Sequence, residues 1–215
     1  MPDSMSSPRA EQKQQTRQAL MEAALSLMHS GRGFGSLSLR EVTRLAGVVP
    51  TAFYRHFSDM EELGLALVAE VGQTFRATLR EVRRNEFELG GLIEASTRIF
   101  LDAVQANHNQ FLFLAREQYG GSQPVRQATG ALPEDITSDL PADLGSKPKL
   151  AHLNHAGLTV IADLVVKSVF AALPDVIDPP ADSLPDHLQP QAKISQQLRF
   201  IFIGLKHWKG LGSTE

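Results

Sequence analysis

Tyr54, Arg55 and His56 are consecutive, and each ends in a group that makes hydrogen bonds. Tyrosine and histidine can bond to phosphate oxygens, and arginine can pair with a phosphate or with the edge of a guanine. Phe53 and Phe57 bracket them at a spacing of four, which places two side chains on one face of a helix. A helix that buries both phenylalanines leaves the three polar residues facing outward, since three adjacent residues cannot all point inward. Pro50, Thr51 and Ala52 come just before. Small or compact residues at the start of a helix let its backbone come close to a polyanion. A proline also suits the first helical position, where its missing N–H would have had no partner.

The elements that must position this set can be read around it. Ser38 and Glu41 have the spacing of a capping box, in which each side chain bonds to the other residue's main chain. A helix is expected from there to about Ala46, with Leu39, Val42 and Leu45 inward. Gly47 supplies a sharp turn, and a short helix over about 50–57 follows. Helix, tight glycine turn and helix make the helix-turn-helix pattern, with the second helix as the one that enters the major groove. Upstream, Leu20, Ala23, Ala24, Leu27 and Met28 recur at intervals of three and four, so 9–30 reads as a helix with one apolar face. Its opening carries Lys13, Thr16 and Arg17, where free amides and the helix dipole favour a phosphate. With Ser38 and Arg40, the candidate DNA contacts are Lys13, Thr16, Arg17, Ser38, Arg40, Pro50, Thr51, Tyr54, Arg55 and His56. Gly31, Gly33 and Gly35 read as a cap and turn. A phosphate-cradling loop would need a preceding strand and a following Gly-Lys-Ser or Gly-Lys-Thr, and both are missing.

Charge distribution agrees with this head. The net charge of the chain is −3, but residues 1–57 hold seven basic against four acidic side chains, and the remainder holds fourteen against twenty. A basic head on an acidic body confines the polyanion to the head. The absence of cysteine removes disulfides, thiolate nucleophiles and cysteine-based metal sites. It fits the cytoplasm, as does a polar N-terminal stretch with no apolar core of a secretory signal. The most apolar stretch, 153–173, is interrupted by Asn154, His155, Asp163 and Lys167, short of the roughly 18 uninterrupted apolar residues of a membrane span. His152 and His155 lack a third ligand at helical spacing, so no metal and no cofactor are expected. A nucleophile elbow, HExxH, Walker loop and GxGxxG are all missing, which argues against an enzyme.

Ser58-Asp59-Met60-Glu61 reads as a second capping box. It opens a long helix over about 59–84, with Leu63, Leu67, Val71, Phe75, Leu79 and Val82 along one face. Gly90-Gly91 is expected to break the chain, and helices are expected over about 92–106 and 109–119. The proline-divided stretch 124–148 suggests a kinked helix at best. A very apolar helix over about 149–173, a loop over 174–190 and a last helix over 191–209 complete the pass. The fold class is all-α. Expected segments are a disordered arm over 1–8, a DNA-binding head over 9–57, a helical effector-binding and dimerisation body over 58–209, and a tail over 210–215.

Phe100, Val104, Phe111, Leu114, Val160 and Phe170 form an apolar set that can wall a cavity for a long apolar chain, with Arg116 for a charged head group. The same apolar residues can equally be plain core, and Arg116 can simply pair with a nearby carboxylate. Phe200, Ile201, Ile203 and Leu205, opposed by Leu153, Val160 and Ile161, are more apolar than one core face requires. That points to a four-helix dimer through the last two helices, with Trp208 at its rim or closing the pocket.

The run from Ser38 to Leu63, above all Ala46-Gly47-Val48, Phe53-Tyr54-Arg55-His56-Phe57 and Glu62-Leu63, closely resembles the DNA-binding domain of the TetR family of repressors. The resemblance covers roughly residues 10–70. Ser36-Leu-Ser-Leu-Arg-Glu-Val, Glu62-Leu-Gly-Leu and Phe113-Leu-Ala-Arg-Glu-Gln are similar to one subgroup, the repressors of unsaturated fatty acid synthesis and desaturation, FabR and DesT. It implies about nine helices, a homodimer on palindromic operator DNA, and an effector cavity in the C-terminal domain, with long-chain acyl-CoA as the expected effector. A sensor of an unrelated hydrophobic compound, an activator of the same fold and a helical protein-interaction module without ligand are the alternatives.

Overall fold

The computed structural model describes residues 8–28, 31–84, 89–138, 153–178 and 189–204. Among the described residues there are nine α-helices and no strand. They are α1 (Pro8–Met28), α2 (Leu39–Leu45), α3 (Pro50–Phe53), α4 (Met60–Arg84), α5 (Leu89–Ala106), α6 (His108–Glu117), α7 (Gln123–Ser138), α8 (His155–Ile177) and α9 (Pro190–Gly204), with a 3-10 turn at Phe34–Ser36. The all-α expectation is met. Of the expected arm only Pro8 is described, and it opens α1. Residues 139–148, His152, Leu205, Trp208 and the tail lie outside the described residues.

The described chain divides into two compact units. One joins the residues up to Glu70 with Arg116–Thr129; the other joins Val71–Ala115 with the residues from Gly130 on. In the first, α1 packs on α2 and α2 on α3. Leu20, Ala24, Met28, Val42, Phe53, Leu63 and Leu67 are completely buried, which is the apolar face the helical spacing called for. Leu45 departs from that reading. It sits in the last turn of α2 and is 53% exposed, so the inward face of this short helix ends at Val42 and Thr43. Gly64 lets two other segments reach α4. A Cβ there would come within 2.6 Å of Val125 and 2.7 Å of the Phe34 ring.

In the second unit α5, α8 and α9 pack against one another. Their apolar faces are joined by polar ties: Ser195 donates to the Thr97 hydroxyl at 3.3 Å, Lys193 pairs with Asp175 at 2.9 Å, and Arg199 pairs with Glu94. Several boundaries differ from expectation. Gly90 and Gly91 do not break the chain but lie inside α5. Helix α8 begins at His155, where the Asn154 side chain accepts the Gly157 N–H at 2.9 Å, so a cap rather than the apolar pattern sets its start. It also runs through Pro174 to Ile177, the Asp178 N–H reaching the Pro174 carbonyl at 3.0 Å. Pro133 likewise lies inside α7. Helix α8 is long and apolar enough to cross a membrane by length and composition alone. It carries the Asp163–Lys167 ion pair at mid-length and buries Ile161, Ala162, Val166 and Leu173 in its own unit, as a core helix does.

Candidate nucleic-acid interface

The entry to α2 is the capping box read from the sequence. Glu41 N–H donates to Ser38 Oγ at 3.3 Å, and Ser38 N–H donates to Glu41 Oε2 at 3.0 Å. Arg32 adds a second hold, its Nη1 lying 2.8 Å from Glu41 Oε1. The Arg32 guanidinium, followed by the Ser38 hydroxyl and amide, lowers the Glu41 pKa to about 2. The box at the entry to α4 is displaced by one residue from the expected one. Asp59 Oδ1 accepts the Glu62 N–H at 2.8 Å, and Glu62 Oε2 accepts the Ser58 N–H at 2.6 Å. Asp59 and Glu62 therefore play the parts assigned to Ser58 and Glu61.

Between α2 and α3 the chain reverses at Gly47, whose φ of +70° is a conformation other residues rarely adopt. The Val48 N–H returns to the Thr43 carbonyl at 3.0 Å, which closes the turn. Helix α3 starts at Pro50 and ends at Phe53. The Phe57 N–H still bonds to the Phe53 carbonyl at 3.0 Å, so the helical sense carries on through the polar triplet. Phe53 and Phe57 are buried, their rings 5.6 Å apart. Tyr54 and Arg55 are exposed, as are Pro50 and Thr51.

His56 departs from the outward trio. It is half-buried, and its Nδ1 is buried with no hydrogen-bond partner among the described residues. Burial first, then the charges of Lys13, Arg17 and Arg55, lowers its pKa. Arg17 is largely committed to the fold. Its guanidinium lies 4.4 Å above the Phe57 ring, and Nη1 donates to the His56 carbonyl at 3.4 Å. Thr16 donates to the Gln12 carbonyl of its own helix at 3.0 Å. The Ser38 hydroxyl is taken up by its cap. Lys13 and Arg40 are exposed. Among the ten candidates, the structure thus leaves Lys13, Arg40, Pro50, Thr51, Tyr54 and Arg55 exposed, bonds Thr16, Arg17 and Ser38 to other parts of the protein, and half-buries His56.

Arg116 has a role the sequence did not suggest. Its Nη1 donates to the Met28 carbonyl at 2.5 Å, at the end of α1, so it belongs to the first unit. The next residue, Glu117, is buried, and its Oε1 accepts the Phe34 N–H at 2.8 Å. Two adjacent side chains at the end of α6 therefore satisfy two main-chain groups of the α1–α2 connection. Gly120 makes room for them, since a Cβ there would overlap Glu117 Oε2.

The apolar candidates fall in the other unit. Phe75, Phe100, Phe111 and Phe170 form one cluster, with Phe75–Phe170 centroids 4.8 Å apart and Phe75–Phe100, Phe75–Phe111 and Phe100–Phe111 between 6.1 and 6.3 Å. Val104 and Leu114 are buried and Val160 half-buried on the same helices, α5, α6 and α8. Phe75, from α4, joins a set that had been read without it. Its place among the apolar positions of the α4 face was the available signal. His155 is exposed, and no cluster of three metal-ligating side chains occurs among the described residues.

A model of the bacterial regulatory proteins of the tetR family matches residues 20–67, and a model of the tetracyclin repressor-like C-terminal domain matches residues 89–204, more than half the chain. The chain belongs to the TetR family. Members of this family are DNA-binding transcription factors rather than enzymes; they dimerise and take ligands in the C-terminal domain. Solved structures of the family share the fold. A TetR-family regulator of Syntrophomonas wolfei superposes with a TM-score of 0.70 at 17% identity, covering 94% of this chain and 99% of its own. One from Shewanella sp. PV-4 gives 0.63 at 21%, covering 88% and 97%. The regulator FadR of Bacillus subtilis, solved in complex with stearoyl-CoA, gives 0.63 at 13%, covering 86% and 96%. Tyr54 and Arg55, exposed beside the buried Phe53 and Phe57, fall within residues 20–67, the part of the chain that the tetR-family model matches.

Proposed function

We propose that the protein is a dimeric, cytoplasmic repressor that binds a palindromic operator and is controlled by a long-chain acyl-CoA, in the manner of FabR- and DesT-type regulators. The observation that carries the DNA half is the split of one short segment: Phe53 and Phe57 buried, Tyr54 and Arg55 open. Tyr54 bonds phosphate, Arg55 bonds phosphate or a guanine edge, and Lys13 and Arg40 contribute charge toward the backbone. Dimerisation through α8 and α9 is supported by Leu164, Phe200 and Ile203, which are 46%, 81% and 62% exposed. Large apolar side chains open to this degree are what a symmetric helical interface would cover.

The effector half rests on the aromatic cluster of Phe75, Phe100, Phe111 and Phe170, with Val104, Leu114 and Val160 as neighbours on its helices. Parting such rings makes an apolar slot, in which each methylene of an acyl chain contributes about 0.8 kcal/mol. A family relative in complex with stearoyl-CoA lends support to a fatty acyl effector. An effector acts only through its unequal affinity for the two states it connects.

The test is an operator titration followed by fluorescence anisotropy. Tyr54→Ala and Arg55→Ala lose at least ten-fold in affinity while the far-ultraviolet dichroism and the dimer persist. Wild-type affinity falls steeply with salt, because phosphate contacts release counterions. Palmitoyl-CoA shifts the wild-type curve. Unchanged affinity in both variants overturns the assignment of α3, and no shift with acyl chains of any length overturns the effector.

A further inference from the structure

Val49 stands at the N-cap of α3, directly before Pro50, with extended backbone (φ −76°, ψ 149°). Serine, threonine, asparagine and aspartate are the stabilising residues at such a position, because their side chains accept an orphan amide. Valine cannot, and no side-chain cap is made. Nor does Val49 serve the core, since it is 64% exposed. A β-branched apolar residue that neither caps nor packs is costly at a helix start unless something else covers it. Two further large side chains near it in the chain are open in the same way, Leu45 at 53% and Tyr54 at 62%.

The chemistry of the leading end of α3 narrows what that cover is. The residues at the front of a recognition helix are the ones that meet base edges in the major groove. Here they are Val49, Pro50 and Thr51, all exposed. None is an arginine, asparagine or glutamine, so this end has no bidentate group for a purine edge. The apolar feature of the major groove is the C5-methyl of thymine, which is read by contact with apolar side chains. We infer that Val49 is a specificity-determining residue that packs its methyl groups on a thymine C5-methyl, once in each half-site. This rests on α3 being the DNA-reading helix and adds which base its leading end selects.

The experiment begins by selecting an operator from a random duplex library with the wild-type dimer. Each thymidine of the selected site is then replaced by deoxyuridine, which deletes the 5-methyl alone, and affinity is measured by fluorescence anisotropy. Wild type loses about four-fold at one symmetric position per half-site, the equivalent of one buried methyl group. Val49→Ala binds the thymine operator more weakly and shows no further loss at that position. Val49→Ser supplies the missing cap, so its melting temperature is no lower than wild type, yet it too is blind to the methyl. Uniform wild-type affinity for every deoxyuridine duplex overturns the inference. So does a Val49→Ser variant that loses as much as wild type at the same position. A library from which no duplex is enriched overturns the DNA-reading assignment of α3 itself, a result distinct from the other two.

Discussion

The two units use the same residue, phenylalanine, in opposite ways. In the DNA-binding unit Phe57 lies under the Arg17 guanidinium, and its neighbour's carbonyl accepts from that same arginine. Phe34 is fixed through its N–H by a buried carboxylate and sits against the bare backbone of Gly64. Phe57 and Phe34 are each located by a polar partner or a missing Cβ, whereas Phe53 packs on the rings of Tyr54 and Phe57. In the other unit Phe75, Phe100, Phe111 and Phe170 are located chiefly by one another. Directional bonds have one good geometry, whereas apolar contacts are roughly proportional to area and tolerate repacking at constant volume. A surface that must present Tyr54 and Arg55 in one register suits the first construction. The proposed parting of the aromatic cluster around an acyl chain would suit the second.

The sharpest way to break this comparison is to delete one ring from each unit. Phe53→Ala and Phe111→Ala both remove fully buried rings and each costs about 3–5 kcal/mol in a denaturant titration. Their effects on DNA diverge. At a temperature where both variants remain folded, Phe53→Ala abolishes operator binding, because the opposite side of the same turn carries Tyr54. Phe111→Ala keeps affinity within a few-fold and alters the response to palmitoyl-CoA. Equal loss of operator affinity in both would show that the units are not specified differently.

A smaller effect tests whether the polar partners of the DNA-binding unit are needed. Gly120→Ala pushes Glu117 away from the Phe34 N–H and weakens this buried, charge-assisted bond, at a cost of about 1–3 kcal/mol. Glu117→Ala removes the same bond by another route. The double variant therefore costs little more than either single one, since both act on one interaction. Strict additivity in urea midpoints would separate the glycine from the carboxylate and remove this latch from the account.

How much of this was legible depended on distance along the chain. The α2–turn–α3 segment was readable because Ser38, Glu41, Gly47, Pro50, Phe53 and Phe57 act within twenty residues and each has a residue-specific reason for its place. The α4 entry was readable to within one residue, since Ser58 and Asp59 are both good caps and only geometry chooses between them. Leu45 misled because apolar spacing does not say where a short helix leaves the core. Arg116 and Glu117 were unreadable in role. Their partners are main-chain groups 88 and 83 residues away, and a carbonyl or amide carries no residue signature. His56 shared its neighbours' polarity, and only its half-burial in the folded chain sets it apart.

The weakest expected effect concerns Glu41, whose carboxylate joins the Ser38 cap to Arg32 at a half-buried surface site. Hydrogen bonds from Arg32, then from the Ser38 side chain and amide, favour its ionised form and bring its pKa to about 2 from an ordinary 4.5. A carboxyl with a folded pKa below its unfolded one takes up its proton on unfolding. Its stabilising contribution is therefore complete above about pH 4.5 and is lost as the pH falls toward 2. Glu41→Gln should lower the urea midpoint slightly at pH 6, and the gap to wild type should close on acidification through that window. Salt should narrow it at pH 6 as well, because both partners face water. The carboxyl carbon resonance of Glu41 gives the direct reading. A midpoint far below 4.5 in the folded protein supports polar fixing of the α2 entry, and one near 4.5 would leave that entry held by packing alone, as the aromatic cluster is.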